Sequence, residues 1–184
     1  MSLHIIFGSM YAGKTTEIIR RIKRYQSINK RVLVINNELD NRYGDGNSII
    51  SHDENALKCV KSKTLFENDN KMSLTSEFDV IVIDEAQFFP DLKKYVIKFC
   101  EEYKKIVVVA GLISDFKRNK FGNMIDLFYY ADDIMHLKSF CSKCKDGQMG
   151  IFTSKIDTKT DQIDVGSTDK YIALCRKCYL NHTF

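Results

Sequence analysis

Three groupings of residues in this 184-residue chain have the types and spacing that chemistry requires. The first is Gly8-Ser9-Met10-Tyr11-Ala12-Gly13-Lys14-Thr15, which reads G-x-x-x-x-G-K-T. Its two glycines allow a turn tight enough to aim successive N–H groups at phosphate oxygens, and a helix starting at its end adds partial positive charge. Lys14 would neutralise β- and γ-phosphates, and the Thr15 hydroxyl would take a Mg²⁺ position. The second grouping is Asp84-Glu85, two carboxylates that end an apolar run. Asp84 is the natural Mg²⁺ partner of Thr15. Glu85, on the opposite face if side chains alternate, is available as a general base toward an acceptor hydroxyl. The third is Cys141-x-x-Cys144 with Cys175-x-x-Cys178, the pairs separated by 30 residues. Four thiolates so spaced can close a tetrahedral structural Zn²⁺ site.

The elements that must position these groups are legible around them. Leu3 to Phe7 is an apolar strand feeding the glycine loop, and Ile18, Ile19, Ile22 and Tyr25 form one face of the helix after it. Arg31 to Ile35 predicts a second strand, followed by a polar loop from Asn36 to Asn47. Ile49 to Asp53 can regain extended structure; His52 there is a candidate functional histidine, with a structural role as the alternative. A short strand is expected near Cys59 and a short helix near Leu65. Val80 to Ile83 is continuously apolar, as in a strand buried on both faces of a parallel sheet. Pro90 predicts the start of a helix whose stripe is Leu92, Tyr95, Val96, Phe99, Cys100 and Tyr103. Ile106 to Leu112 is a further buried strand, and its loop carries Phe116, Lys117, Arg118 and Phe121-Gly122, suited to a flat ring and phosphate charge. Residues 123–130 read as helical and Ile134 to Leu137 as the last strand of the sheet. Gly147 to Ile151 and Tyr171 to Leu174 read as strands flanking a polar loop, Lys155 to Thr168. Cys59 and Cys100 sit in apolar settings and read as packing residues.

The expected fold is therefore α/β: a P-loop parallel sheet flanked by helices over 1–138, with a small zinc-binding lasso over 139–184. Hydrophobic residues at 44% and charged residues at 28% fit a soluble globular protein, and the net charge of +4 suits an anionic ligand without announcing nucleic acid. No apolar run approaches the roughly 20 residues of a membrane span, and no signal pattern is present at the start. The cytosol is the expected compartment, where six cysteines argue for thiols or metal rather than disulfides.

Taken together the chain resembles the type II thymidine kinases, the family of human cytosolic, bacterial and poxviral enzymes. The resemblance rests on the glycine loop, Asp40-Asn41-Arg42-Tyr43, Ser51-His52-Asp53, Asp84 to Asp91, Gly111-Leu112, Asp115-Phe116, Phe121-Gly122, both cysteine pairs, and Val165-Gly166 before Tyr171. It implies transfer of the ATP γ-phosphate to the 5′-hydroxyl of thymidine. By resemblance the proton acceptor is Glu85, the Mg²⁺ carboxylate Asp84, and Gln87 belongs with the ATP-side residues. Met10, Leu112, Phe116 and Phe121 belong to the nucleoside pocket, main-chain groups of Gln162, Ile163, Asp164, Val165 and Gly166 hold the base, and Tyr171 lies near the sugar. Homotetramers and feedback inhibition by thymidine triphosphate are also implied. Ile113 departs from an aspartate usual in relatives, and Lys155 from an arginine, which removes planar bidentate pairing. The segment after Cys144 is two residues longer than in the human enzyme. Two other readings stay open: a nucleic-acid-stimulated ATPase, since Asp84 to Gln87 also resembles helicase strands, and a non-catalytic nucleotide-binding scaffold. A redox role is the alternative for the cysteine pairs.

Overall fold

The computed structural model describes residues 1–40, 48–50, 56–66, 77–156, 162 and 170–182. Its centre is a six-stranded sheet in the order β5-β2-β6-β7-β1-β8, in which every pairing is parallel. The strands are β1 (Ser2–Gly8), β2 (Val32–Asn37), β5 (Val60–Ser62), β6 (Val80–Ile83), β7 (Ile106–Gly111) and β8 (Asp133–Leu137). Between β2 and β5 lies a small antiparallel pair, β3 (Ser48–Ile50) and β4 (Ala56–Lys58).

Two-residue alternation along the central strands splits the core into two layers. Ile6, Val34, Val80, Val82, Val108 and Ala110 face helix α1 (Lys14–Gln26), whose Ile18, Ile19 and Ile22 cover them. Leu3, Ile5, Leu33, Ile35, Ile81, Ile83, Val107 and Val109 face the other way, onto Leu92, Tyr95, Val96 and Phe99. With both faces covered, the middle strands are the continuous apolar runs that their sequences show. Burial also pushes the Cys59 thiol up to about 11 and raises that of Cys100, so both stay neutral packing groups.

Several expectations shift in detail. Helix α2 (Leu92–Ile97) begins after Pro90, with Asp91 at its N-cap position. The Asp91 carboxylate does not cap its own helix. It accepts from the N–H groups of Leu65 (3.1 Å) and Phe66 (2.9 Å), the start of the short helix expected there. Past Ile97 the helix widens into a π-turn, Lys98–Glu102. The helical segment at 123–130 is a 3₁₀ helix, Ile125–Tyr130. Asn36 and Asn37, expected in a loop, end β2 and are buried. The Asn36 side chain donates to Asp40 at 2.9 Å and the Asn37 side-chain Oδ1 accepts from the Leu39 N–H at 3.0 Å, which makes burial of these polar residues tolerable. No helix among the described residues is long and apolar enough to cross a membrane.

The C-terminal part is built from two short antiparallel pairs. Strand β9 (Ser139–Phe140) pairs with β10 (Met149–Gly150), a shorter strand than the expected 147–151. Strand β11 (Phe152–Lys155) pairs with β12 (Tyr171–Leu174), and helix α3 (Arg176–Leu180) follows. Lys155, expected to open a polar loop, is instead a fully buried strand residue.

Candidate functional site

The glycine loop and the Asp84-Glu85 pair meet beyond the carboxyl ends of the central strands, where ligands sit in open parallel sheets. The glycine loop leaves β1 and enters α1. Gly13 has φ 81°, which glycine adopts without strain. Gly8 is needed for a different reason: a Cβ there would lie 2.2 Å from the Leu137 carbonyl oxygen of neighbouring β8. Lys14 is buried and donates to the carbonyls of Ser9 (2.9 Å) and Gly8 (3.3 Å), folded along the loop that it serves.

Thr15 and Asp84 are brought together as expected: the hydroxyl donates to Oδ2 at 3.3 Å. Asp84 continues the face of Val80 and Val82, the face that carries α1, so strand alternation delivers it to the loop. The other carboxylate oxygen accepts from the Glu85 N–H at 2.9 Å. A hydroxyl and a carboxylate at this separation, at a helix N-terminus, form the donor set that a hard, oxygen-seeking divalent cation uses. They fit a phosphate-bound Mg²⁺.

For Glu85 alternation is the wrong reason. Strand β6 has ended by Ile83, and Glu85 adopts the left-handed backbone with φ 50° and ψ 42°. A non-glycine residue there costs on the order of 1–3 kcal/mol and persists where its surroundings over-determine it. The buried carboxylate accepts from Gln87 Nε2 at 2.6 Å, and Gln87 Oε1 accepts from the Leu112 N–H at 2.9 Å. Gln87 thus lies between Glu85 and the end of β7.

Met10, Phe116 and Tyr171 form a separate buried apolar cluster, with Tyr11 and Leu112 packed against it. Four residues expected in the nucleoside pocket therefore share one wall. Phe121 is buried nearby, edge-on to Phe88 at 5.6 Å. Lys155 enters the same region, its ammonium 5.3 Å from the Phe116 ring centre and 6.0 Å from that of Tyr171. The Phe116 loop is shaped by Asp115, whose carboxylate accepts from the N–H groups of Lys117 (2.9 Å) and Asn119 (2.8 Å). Gln162 reaches the same loop, its amide donating to Asp115 at 2.9 Å and to the Lys120 carbonyl at 3.2 Å. Asn41, Arg42, Tyr43, Ser51, His52, Asp53, Ile163, Asp164, Val165 and Gly166 lie outside the described residues.

The four cysteines converge. Their sulfur atoms all lie within 4.8 Å of one another, with Cys144 3.3 Å from Cys178 and 3.6 Å from Cys175. Thiolates about 2.3 Å from a tetrahedral zinc would be roughly 3.8 Å apart, so this cluster could hold that ion. Burial is the strongest influence on the Cys141 thiol and raises it. The N–H groups of Cys144, Cys175 and Lys143, with the Cys175 side chain, together outweigh burial and bring it down to about 6, whereas the neighbouring thiols of Cys144 and Cys178 are raised.

What sequence reasoning missed is the stitching between the cysteine region and the phosphate loop. The Ser9 hydroxyl donates to the Gly150 carbonyl at 2.7 Å, the Met10 N–H to Thr153 Oγ1 at 3.0 Å, and the Tyr11 hydroxyl to the Tyr171 carbonyl at 3.1 Å. From α3, the Tyr179 hydroxyl donates to the Phe116 carbonyl at 2.6 Å. Burial raises the Tyr179 pKa, which keeps it a donor, and Arg118 stacks on its ring at 4.8 Å. His182 Nε2 meets the Lys155 carbonyl at 2.9 Å. Thr153, Tyr179 and His182 belong to none of the patterns read from the sequence. The only available signal was that Tyr179 directly follows a cysteine ligand.

The chain is similar to known proteins over nearly its whole length. A family model described as thymidine kinase matches residues 1–179. The thymidine kinase of Choristoneura fumiferana entomopoxvirus is 40% identical over 185 residues, 97% of this chain and 96% of its own. That of Myxoma virus (strain Uriarra) is 38% identical, covering 96% of this chain and 95% of the relative. The rice thymidine kinase (Oryza sativa subsp. japonica) is also 38% identical over 97% of this chain, which spans 66% of that longer protein.

Proposed function

The chain belongs to the thymidine kinase family and phosphorylates thymidine, and from that premise we propose that the donor is ATP and that Glu85 is the base. The observation that carries this reading is the placement of Asp84 beside Thr15 at 3.3 Å, with the buried Glu85 next in sequence and an apolar wall opposite. The triphosphate lies along the glycine loop, with Lys14 turning from the loop carbonyls to the β- and γ-oxygens. Thr15 and Asp84 would hold Mg²⁺, which would supply positive charge to offset that developing on the phosphates. Thymidine stacks against Phe116 among Met10, Leu112 and Tyr171, which directs its 5′-hydroxyl toward the γ-phosphorus. The 5′-oxygen forms its bond to phosphorus as the bond to the β-bridging oxygen breaks. Glu85 takes the hydroxyl proton, and the products are thymidine monophosphate and ADP.

Deoxyuridine keeps the same imide edge and is accepted. Zinc on Cys141, Cys144, Cys175 and Cys178 is structural, fixing α3 and with it the Tyr179–Phe116 contact. A redox role for these cysteines has less support, because all four sulfurs converge on one centre. Cytoplasmic location, a homotetrameric assembly and inhibition by thymidine triphosphate complete the proposal, on the strength of the family resemblance. The test is purified protein with Mg-ATP and each of four deoxynucleosides, the products resolved by chromatography. Monophosphate from thymidine and deoxyuridine alone is expected. Equal turnover of deoxycytidine, or ATP hydrolysis driven by DNA, would replace the reading.

A further inference from the structure

Gln87 was expected among the residues on the ATP side. Both ends of its carboxamide are used elsewhere. Nε2 donates to Glu85 Oε2 at 2.6 Å, and Oε1 accepts from the backbone N–H of Leu112 at 2.9 Å. The assignment of the two ends follows from chemistry: a flipped amide would oppose two acceptors at one end and two donors at the other. The residue is also boxed in by two glycines. A Cβ on Gly111 would lie 2.3 Å from Gln87 Oε1, and one on Gly122, whose φ is 59°, would lie 2.2 Å from the Gln87 carbonyl oxygen. The absence of a side chain at Gly111 thus leaves room for the Gln87 carboxamide, and that at Gly122 for the Gln87 backbone.

The partners at the two ends give this placement a purpose. One is the carboxylate read above as the base, on a left-handed backbone that does not orient its side chain by strand periodicity. The other is the backbone of Leu112, whose side chain packs against the Met10, Phe116 and Tyr171 cluster. We infer that Gln87 is a positioning residue that fixes the plane of the Glu85 carboxylate and sets it in register with the wall against which the nucleoside lies. The inference rests on Glu85 being the base. Gln87 itself touches neither substrate; it converts the position of the pocket wall into the position of the proton acceptor.

Misplacing a catalytic group by about 1 Å can cost on the order of 10²-fold in rate. Gln87→Met keeps the length and removes both hydrogen bonds; Gln87→Asn keeps the amide but is one methylene too short to bridge. Both should lower kcat about 10²-fold and leave KM for thymidine and for ATP within about threefold. In a Glu85→Gln background the same changes should cost less than about threefold more, because residues acting as a unit are not additive. A merely structural role would give multiplicative losses. Parent-like kcat in both variants, full multiplicativity, or loss of ATP binding in both would each overturn the inference. Parent-like kcat in Glu85→Gln alone would instead remove the base, and the inference with it.

Discussion

The glycine loop and the cysteine cluster are both places where the chain converges on a charged ligand, yet they are held by opposite means. The loop rests on strands and helices whose two apolar layers would exist without any ligand. The apolar cluster around the cysteines is small, formed by Cys141, Leu174, Cys175 and Tyr179, and two of those four belong to the thiol group that could hold a metal. Burial at roughly 25 cal/mol per Å² cannot stabilise so small a cluster, whereas structural zinc in small domains contributes on the order of 10 kcal/mol or more. With zinc in the four-thiol centre as proposed above, one half of the site would be built by hydrophobic packing and the other by coordination, with a few hydrogen bonds joining them.

That contrast can be broken at its strongest point first. Glu85→Gln alters the packed half without disturbing its core, and turnover should fall by about 10²–10⁴-fold while ATP affinity holds. A titration of ATP binding beside steady-state kinetics checks both parts. Removing zinc by chelation, or Cys175→Ser, should act on the other half. Thymidine binding should weaken at least about tenfold, whereas ATP binding and the melting of the main sheet change little. Elemental analysis before and after chelation, with calorimetric binding of each ligand, would show it; equal losses for both ligands would erase the distinction drawn here.

Smaller changes sharpen the comparison at the joints. Tyr179→Phe leaves the Phe116 carbonyl without its 2.6 Å donor, a cost of about 1–3 kcal/mol. KM for thymidine should rise by roughly tenfold, with KM for ATP unchanged. Thr153→Val removes the acceptor of the Met10 N–H inside the glycine loop, at about 1 kcal/mol. Its effect should fall on ATP, a several-fold rise in KM. If Thr153→Val moved thymidine alone, the joint would belong to the nucleoside side.

Much of this was legible in the residues, for identifiable reasons. Gly8, Gly13, Lys14 and Thr15 are fixed by backbone geometry and phosphate chemistry, so spacing alone reveals them. The same holds for Cys141, Cys144, Cys175 and Cys178, and for the apolar runs of β6 and β7. Glu85 was identified but misoriented, because strand periodicity was extended beyond Ile83 into a left-handed residue. Lys155 and Asn36 read as loop because polar residues usually mark exposure, yet here each has partners that let a strand bury it. Thr153 and Tyr179 were illegible for a deeper reason. Each makes one contact with a distant backbone group, and a single contact leaves no periodic trace.

The stitching of the glycine loop to β11 and β12 has a thermodynamic consequence. Met10 and Tyr11 bond to the same pair of strands that carries Tyr171 and Lys155 into the nucleoside pocket. If substrate binding at either end tightens that pair, tightening it from one end lowers the cost from the other, and the two substrates are then energetically coupled. Linkage makes such a coupling reciprocal: the factor by which ATP improves thymidine affinity must equal the factor by which thymidine improves that of ATP. About 1 kcal/mol in the shared hydrogen bonds corresponds to roughly fivefold on each side. Such a coupling would favour the ternary complex over either half-filled site, and titrating thymidine with and without ATP, and ATP with and without thymidine, measures it from both sides.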